Sequence, residues 1–289
     1  MIEQDPRARL KSFVRTFPWL SSVLQWLLDP AFTPGYLISR WVGRQRGCLL
    51  NFGSGSRSLG ARVVNLDIDE SAHVHVVNRS EGVPFADESF EAVLLEYVLE
   101  HVGPIESLLD EVVRVLKPGG SVLITVPFRQ SYHACPQDFW RFTHEGLERL
   151  LRRHGLDDVH VEVYGGPTSA WIDATKEFLA TICSFGSPLL YALWSQAFIV
   201  PFIPLRYLDL LLRHLPVAKY TAFSFMAVAI KPGALVVEQD SAQGLSIAIE
   251  RKIERALRVP EGFCVERRDG RFFVEPAVLE PTVNETAAV

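Results

Sequence analysis

Asn51-Phe52-Gly53-Ser54-Gly55 closes a short apolar run, and twelve residues beyond Gly55 stands Asp67, at the end of a second such run. Glycines directly after a strand let the backbone turn sharply and approach a ligand with no side chain in between. On the loop alone, a tight turn explains them equally well. A carboxylate at the C-terminal end of the next strand can accept both hydroxyl protons of a ribose, so the two features together point to a nucleoside pocket. Seven residues, Ser56–Arg62, separate that loop from Val63. At ~3.3 Å per extended residue they span about 23 Å. That suffices to run back along one strand but leaves no room for the helix whose N-terminus holds the pyrophosphate of a dinucleotide. Ser58 stands where a third glycine would be expected. The spacing therefore favours a nucleoside ligand without phosphate, with NAD as the runner-up.

A second group of reactive side chains lies at Ser131–Thr143, where His133, Asp138 and Arg141 are interleaved with Tyr132, Phe139, Trp140 and Phe142. Glu100-His101 is another polar pair, read here as a structural start to the helix that follows. His73 and His75 alternate with no third ligand evident, and Cys48, Cys135, Cys183 and Cys264 are too far apart in sequence to suggest a metal site by spacing. No metal is expected, and the cysteines read as reduced thiols of a cytoplasmic protein.

The elements that must position these residues are strands at Cys48–Phe52, Val63–Asp67, Val74–Val77, Ala92–Leu95, Ser121–Val126, Val159–Tyr164 and Phe223–Ile230. Short apolar runs alternating with helices make an α/β class fold: a seven-stranded, mostly parallel, Rossmann-like sheet with its last strand antiparallel and helices on both faces. One helix follows Pro104 and stops at Lys117-Pro118-Gly119-Gly120; another is capped by Thr143 and ends at Gly155. Residues 1–46 read as an N-terminal helical element, 47–232 as the main domain, and 233–289 as a small helix-plus-hairpin appendage with a loose tail. A helical insertion at 165–221 precedes the last strand; such long connections are usually functional.

Several of these motifs, in order, resemble the class I S-adenosylmethionine-dependent methyltransferases, in a shortened variant of the type 11 kind. Besides Asn51–Gly55, they are Asn65-Leu66-Asp67-Ile68-Asp69, Val83–Phe90, Glu96–Val102 and Leu116-Lys117-Pro118-Gly119-Gly120. The similarity covers roughly residues 48–165 and the last strand. It implies that Asn51, Phe52, Gly53, Ser54 and Gly55 border the methionine part of S-adenosylmethionine, that Asp67 with Ile68 holds the ribose, that Arg79 and Ser80 lie near the adenine, and that Glu96 and Tyr97 face the sulfonium. Asn51 stands where the family commonly has an acid, and Asn78 or Arg79 where an acid often receives the adenine amine. The 131–143 loop follows the fifth strand, at the sheet edge where substrates bind in open α/β folds. It also resembles a pattern in bacterial methyltransferases associated with surface glycans. His133 is the candidate base, Asp138 its orienting partner or an acceptor-binding group, and Arg141 a candidate anion contact. Alternatively, Asp138 and Arg141 pair to hold the loop.

Composition narrows the partners. The chain has 289 residues, 48% hydrophobic and 22% charged, with a net charge of -5, so it has no basic field for nucleic acid. Only residues 1–46 are basic, with seven Lys/Arg against three Asp/Glu. Residues 178–205 hold no charged side chain, but Pro188, Pro201 and Pro204 favour short helices over a spanning one. With Arg206, Arg213, His214 and Lys219 beyond them, residues 178–214 could touch the inner face of an anionic membrane, cap the acceptor pocket or join a homodimer. The expected activity is methyl transfer to oxygen or nitrogen of a small hydrophobic, glycan or lipid-linked acceptor. The alternatives are an inactive cofactor- or partner-binding module and an NAD-dependent enzyme.

Overall fold

In a computed structural model, described over residues 35–55, 57–80, 82–134, 136–234, 245–261 and 263–276, nine strands form one sheet. They are β1 (Leu49–Phe52), β2 (Val63–Asp67), β3 (Val76–Asn78), β4 (Phe90–Glu96), β5 (Leu116–Pro127), β6 (Asp157–Gly165), β7 (Ser224–Ile230), β8 (Phe263–Arg268) and β9 (Arg271–Pro276). Their order is 6-7-5-4-1-2-3-9-8. Strands β1 to β5 are mutually parallel where they pair, and β7 runs antiparallel between β5 and β6.

Alternation along the strands feeds two cores. Leu50, Val64, Val93, Leu95, Val122 and Ile124 pack on one face. They meet Leu108, Leu109 and Val112 of helix α2 (Ile105–Val115), and Leu147 and Leu151 of helix α3 (His144–Arg153). Leu49, Val63, Ala92, Leu94 and Leu123 pack on the other, against Ile38 and Val42 of helix α1 (Gly35–Arg44). Thr143 caps α3 as expected, its Oγ1 accepting from the Gly146 amide at 3.0 Å. Residues 1–34 of the expected N-terminal helical element lie outside the described residues.

The seven-strand expectation is corrected to nine. The C-terminal hairpin joins the main sheet, with β9 parallel to β3 in the register Val76↔Phe272, Val77↔Phe273 and Asn78↔Val274. Phe272 and Val274 enter one core while Phe273 packs with Val74 and Val77 on the opposite face, so β9 is buried on both sides. Between β6 and β7 the chain forms α4 (Pro167–Cys183), α5 (Pro188–Ala197), a 3₁₀ segment at Val200–Leu208, α6 (Asp209–Leu212) and a 3₁₀ turn at Pro216–Tyr220. After residue 244 comes α7 (Leu245–Ala256). Among the described residues no single helix is long and apolar enough to cross a membrane, and the pair Pro188–Ala197 and Val200–Leu212 is bent by 51°.

One buried carboxylate ties the ends of three elements together. Glu91 accepts from the Cys48 amide at 2.7 Å and from Lys117 Nζ at 2.8 Å, and Lys252 of α7 lies 3.6 Å away. Removing it strands those ammonium groups at the sheet edge. Glu91→Ala is expected to lower stability by ~3 kcal/mol, measured by urea unfolding; a change under about 0.5 kcal/mol would show the network to be dispensable.

Candidate active site

The strand order reverses between β1 and β4, with β2 on one side and β5 on the other, and ligands of open α/β sheets bind at such a switch point. Among the described residues the β1–β2 connection contains no helix. Instead the loop clings to the end of β2: the Gly53 and Ser54 amides donate to Leu66 O at 2.9 and 3.1 Å. Gly53 has φ +66°, and a Cβ there would meet Val98 Cγ2 at 2.7 Å, so this turn and its packing both require glycine. Gly55 has φ +54° and open space where a Cβ would be.

Asp67 closes the loop. Its Oδ2 accepts from the Gly55 amide at 2.7 Å and its Oδ1 from the Asp69 amide at 2.9 Å. An ionised carboxylate has about four acceptor positions, so each oxygen keeps one for a hydroxyl. Beside it, Ile68 is 61% exposed and offers an apolar face. Ser54 Oγ is buried without a hydrogen-bond partner. A half-exposed carboxylate with spare acceptors, an unsatisfied hydroxyl, an open glycine and a bare apolar side chain fit the ribose, amino-acid and adenine parts of S-adenosylmethionine.

The other residues expected at this pocket each have partners within the protein. Asn51 is buried and donates to Asn65 Oδ1 at 3.1 Å, so it joins β1 to β2 beneath the loop. Phe52 is half-buried and packs against the core. Arg79 pairs with Glu275 of β9, which draws its guanidinium toward the hairpin. Ser80 donates from its amide and hydroxyl to Asn78 Oδ1, at 3.2 and 2.6 Å. Glu96 is ion-paired with Arg57, a residue the sequence reading did not single out, which links the glycine loop to the end of β4. Tyr97 follows in the left-handed region, φ 54°, held by its amide to Thr125 O at 3.1 Å and its hydroxyl to Ser224 Oγ at 2.8 Å. Such a conformation in a bulky residue stores strain, commonly at functional sites.

The loop after β5 is stitched to the turn after β4. Phe139 donates its amide to Glu100 O at 2.7 Å, His101 Nδ1 lies 2.5 Å from Gln137 O, and Trp140 Nε1 donates to Val102 O at 3.0 Å. Asp138 grips Arg141 with both oxygens, at 2.5 and 2.6 Å, and accepts from the His133 amide at 2.8 Å. Burial works against its charge, but Arg141, the His133 amide and the neighbouring positive charges outweigh it and hold its carboxyl below the ordinary value. Asp138 thus holds the loop, while the His133 ring is closer to another partner: Nδ1 is 3.0 Å from Ser131 O and 3.4 Å from Asp138 Oδ2. The opposite nitrogen, Nε2, faces Glu100 Oε1 at 3.7 Å, and the rings of His133 and His101 meet edge to face at 5.2 Å. Asp173 of α4 accepts from the Ser131 amide at 2.7 Å, tying the insertion to this loop. His75 stands apart just before β3; burial first, then His73, lowers its pKa, and its Nδ1 accepts from the Asn65 amide at 2.9 Å.

Comparison with known proteins gives the arrangement a context. Residues 47–124 match the family model of the methyltransferase domain. A protein of Mycolicibacterium smegmatis described as a probable S-adenosylmethionine-dependent methyltransferase is 30% identical over 132 residues, which cover 41% of this chain and 51% of that protein. The ubiquinone/menaquinone biosynthesis C-methyltransferase UbiE of Desulfotalea psychrophila is 36% identical over 89 residues, covering 30% of this chain and 35% of its own. The chain therefore spans between about a third and a half of these curated relatives. The 1,6-didemethyltoxoflavin-N1-methyltransferase of Burkholderia thailandensis, solved with S-adenosylhomocysteine, aligns over 78% of this chain and 88% of its own with a TM-score of 0.43 and 17% identity. The ordered motifs fall within the same residues, 47–124, so this part of the chain is similar to a methyltransferase domain.

Proposed function

We propose that the protein transfers the methyl group of S-adenosylmethionine to oxygen or nitrogen of a small apolar acceptor. The observation that carries this reading is the Asp67 carboxylate, fixed on the Gly55 amide with acceptor capacity to spare. The cofactor supplies an electrophilic methyl group; transfer breaks its C–S bond, forms a C–O or C–N bond and leaves the neutral thioether S-adenosylhomocysteine. The protein's part is to align the acceptor, exclude water and manage the acceptor's proton. Nε2 of His133, its ring oriented by the Ser131 carbonyl, is the acceptor-side nitrogen available for that last task. An NAD-dependent reading fares worse, because the β1–β2 connection offers no helix N-terminus to a pyrophosphate.

Calorimetric titration separates a cofactor-binding protein from a partner-binding module, and methyl-label transfer separates an enzyme from an inactive binder. S-adenosylhomocysteine should bind the wild type, and Asp67→Ala should weaken it by about 100-fold through two lost charge-assisted hydrogen bonds. His133→Ala should bind within about threefold of wild type yet slow methyl-label transfer to an extract acceptor by ~100-fold or more. Failure of the wild type to bind either S-adenosylmethionine or its product would overturn the proposal.

A second reading concerns the insertion. Of the 23 large apolar side chains exposed among the described residues, 17 lie between Trp171 and Tyr220, which concentrates the apolar surface beside the acceptor loop. We propose that this surface meets the acceptor's lipid environment; two relatives are named for ubiquinone/menaquinone and demethylmenaquinone chemistry, in keeping with an apolar acceptor. Arg206 and Arg213 are buried inside the insertion while His214 and Lys219 are exposed, so the contact would be mainly apolar. Arg7, Arg9, Lys11 and Arg15 lie outside the described residues. The protein is expected to float with neutral phosphatidylcholine vesicles about as well as with anionic ones, and Phe185→Asp with Leu211→Asp, at sites 91% and 73% exposed, should abolish flotation. A wild type that stays in the dense fraction with both vesicle types would remove this reading, leaving a homodimer to be tested by light scattering.

A further inference from the structure

Glu100 is the least explained polar group in the described structure. Its side chain is wholly buried in the turn Leu99–His101, and neither carboxylate oxygen has a hydrogen-bond partner. Burying a carboxylate is costly unless it is paired, hydrogen-bonded or bound to a metal. Two imidazoles face it without closing a hydrogen bond: Oε1 lies 3.7 Å from His133 Nε2 and 3.9 Å from His101 Nε2. Those separations are too long for hydrogen bonds. They are a few tenths wider than the ~3.4 Å expected between two ligands each about 2.1 Å from one tetrahedral ion. One ligand atom from each of Glu100, His101 and His133 falls within 4.8 Å of the others.

The far side of each ring supplies an independent sign. His133 Nδ1 lies 3.0 Å from Ser131 O, and His101 Nδ1 lies 2.5 Å from Gln137 O. A backbone carbonyl can only accept, so Nδ1 carries the hydrogen in both, and each neutral ring keeps its lone pair on Nε2. Metal-bound histidines are oriented in this way, with the non-ligating N–H given to a carbonyl or carboxylate. Asp173 holds Ser131 from the opposite side through the Ser131 amide, at 2.7 Å, fixing the carbonyl that orients His133.

We propose that Glu100, His101 and His133 bind one divalent transition-metal ion. Two imidazoles and one carboxylate with a remaining open position suit zinc best. In this site His133 is a ligand and not a base; the ion, as a Lewis acid, would lower the pKa of a bound acceptor hydroxyl so that its proton leaves to solvent water. The open position would take an oxygen of the acceptor, a hydroxyl or carboxylate. That consequence rests on the proposed methyl transfer; the site itself does not.

The test uses the full chain and zinc alone. After dialysis against chelator, the wild type is expected to bind one zinc per chain by calorimetry and elemental analysis, and cobalt in its place should give visible ligand-field bands. Glu100→Gln, nearly isosteric and losing no hydrogen bond, should weaken zinc binding at least ~100-fold, as should His101→Ala and His133→Ala. Circular dichroism and S-adenosylhomocysteine titration on the same samples report the fold and the cofactor pocket separately. Failure there alongside intact zinc binding would strike the methyl-transfer reading and leave the metal site standing. A wild type that binds no zinc at micromolar concentration, or three variants that bind it unchanged, would overturn the site.

Discussion

The Gly55 amide donating to the Asp67 carboxylate, across twelve residues of chain, is the constraint on which the candidate cofactor pocket depends. It pins a glycine turn to the end of β2 at the place where the strand order reverses. The turn then cannot drift from the acid that completes it. Beneath it, Val98 fills the space a side chain at position 53 would need, and the Asn51–Asn65 amide pair locks β1 to β2. The short β1–β2 connection follows from this arrangement: a loop that must stay against the end of β2 has little chain left for a crossover helix.

The loops after β4 and β5 are built differently, crossing between adjacent parallel strands. β4 and β5 pair in register from Ala92↔Ser121 to Glu96↔Thr125, so the segments leaving them emerge at the same edge. The Asp138–Arg141 pair stiffens the second loop, while Phe139, Gln137 and Trp140 fasten it to the Glu100 carbonyl, the His101 ring and the Val102 carbonyl. The insertion reaches the same loop through Asp173 and Ser131. The apolar surface, the His133 ring and the end of β4 are thereby mechanically connected.

The legible parts of the sequence were those governed by local pattern. β2 stands at the expected residues and β1 begins one residue late, because apolar runs bounded by glycine and charge leave little freedom; both caps of α3 were equally plain. What the pattern could not reveal was pairing at a distance. The hairpin is legible within the appendage at 233–289, but nothing local to Phe272-Phe273-Val274 says that they lie against Val76, Val77 and Asn78. Glu100-His101 and His133 each stand out locally, and only the register of β4 and β5 brings them together. Arg57 carried no signal at all, being a lone cation in a loop whose partner, Glu96, is 39 residues away.

The central claim is that the glycine turn and the ends of β2 and β4 receive S-adenosylmethionine. A crystal structure of the protein grown with saturating S-adenosylhomocysteine tests it most directly. The account predicts ribose hydroxyls on Asp67, the amino-acid end along Gly53–Gly55, and the thioether turned toward Glu96 and Tyr97. Ligand bound elsewhere, or a turn filled by the protein's own side chains at saturating ligand, would contradict it.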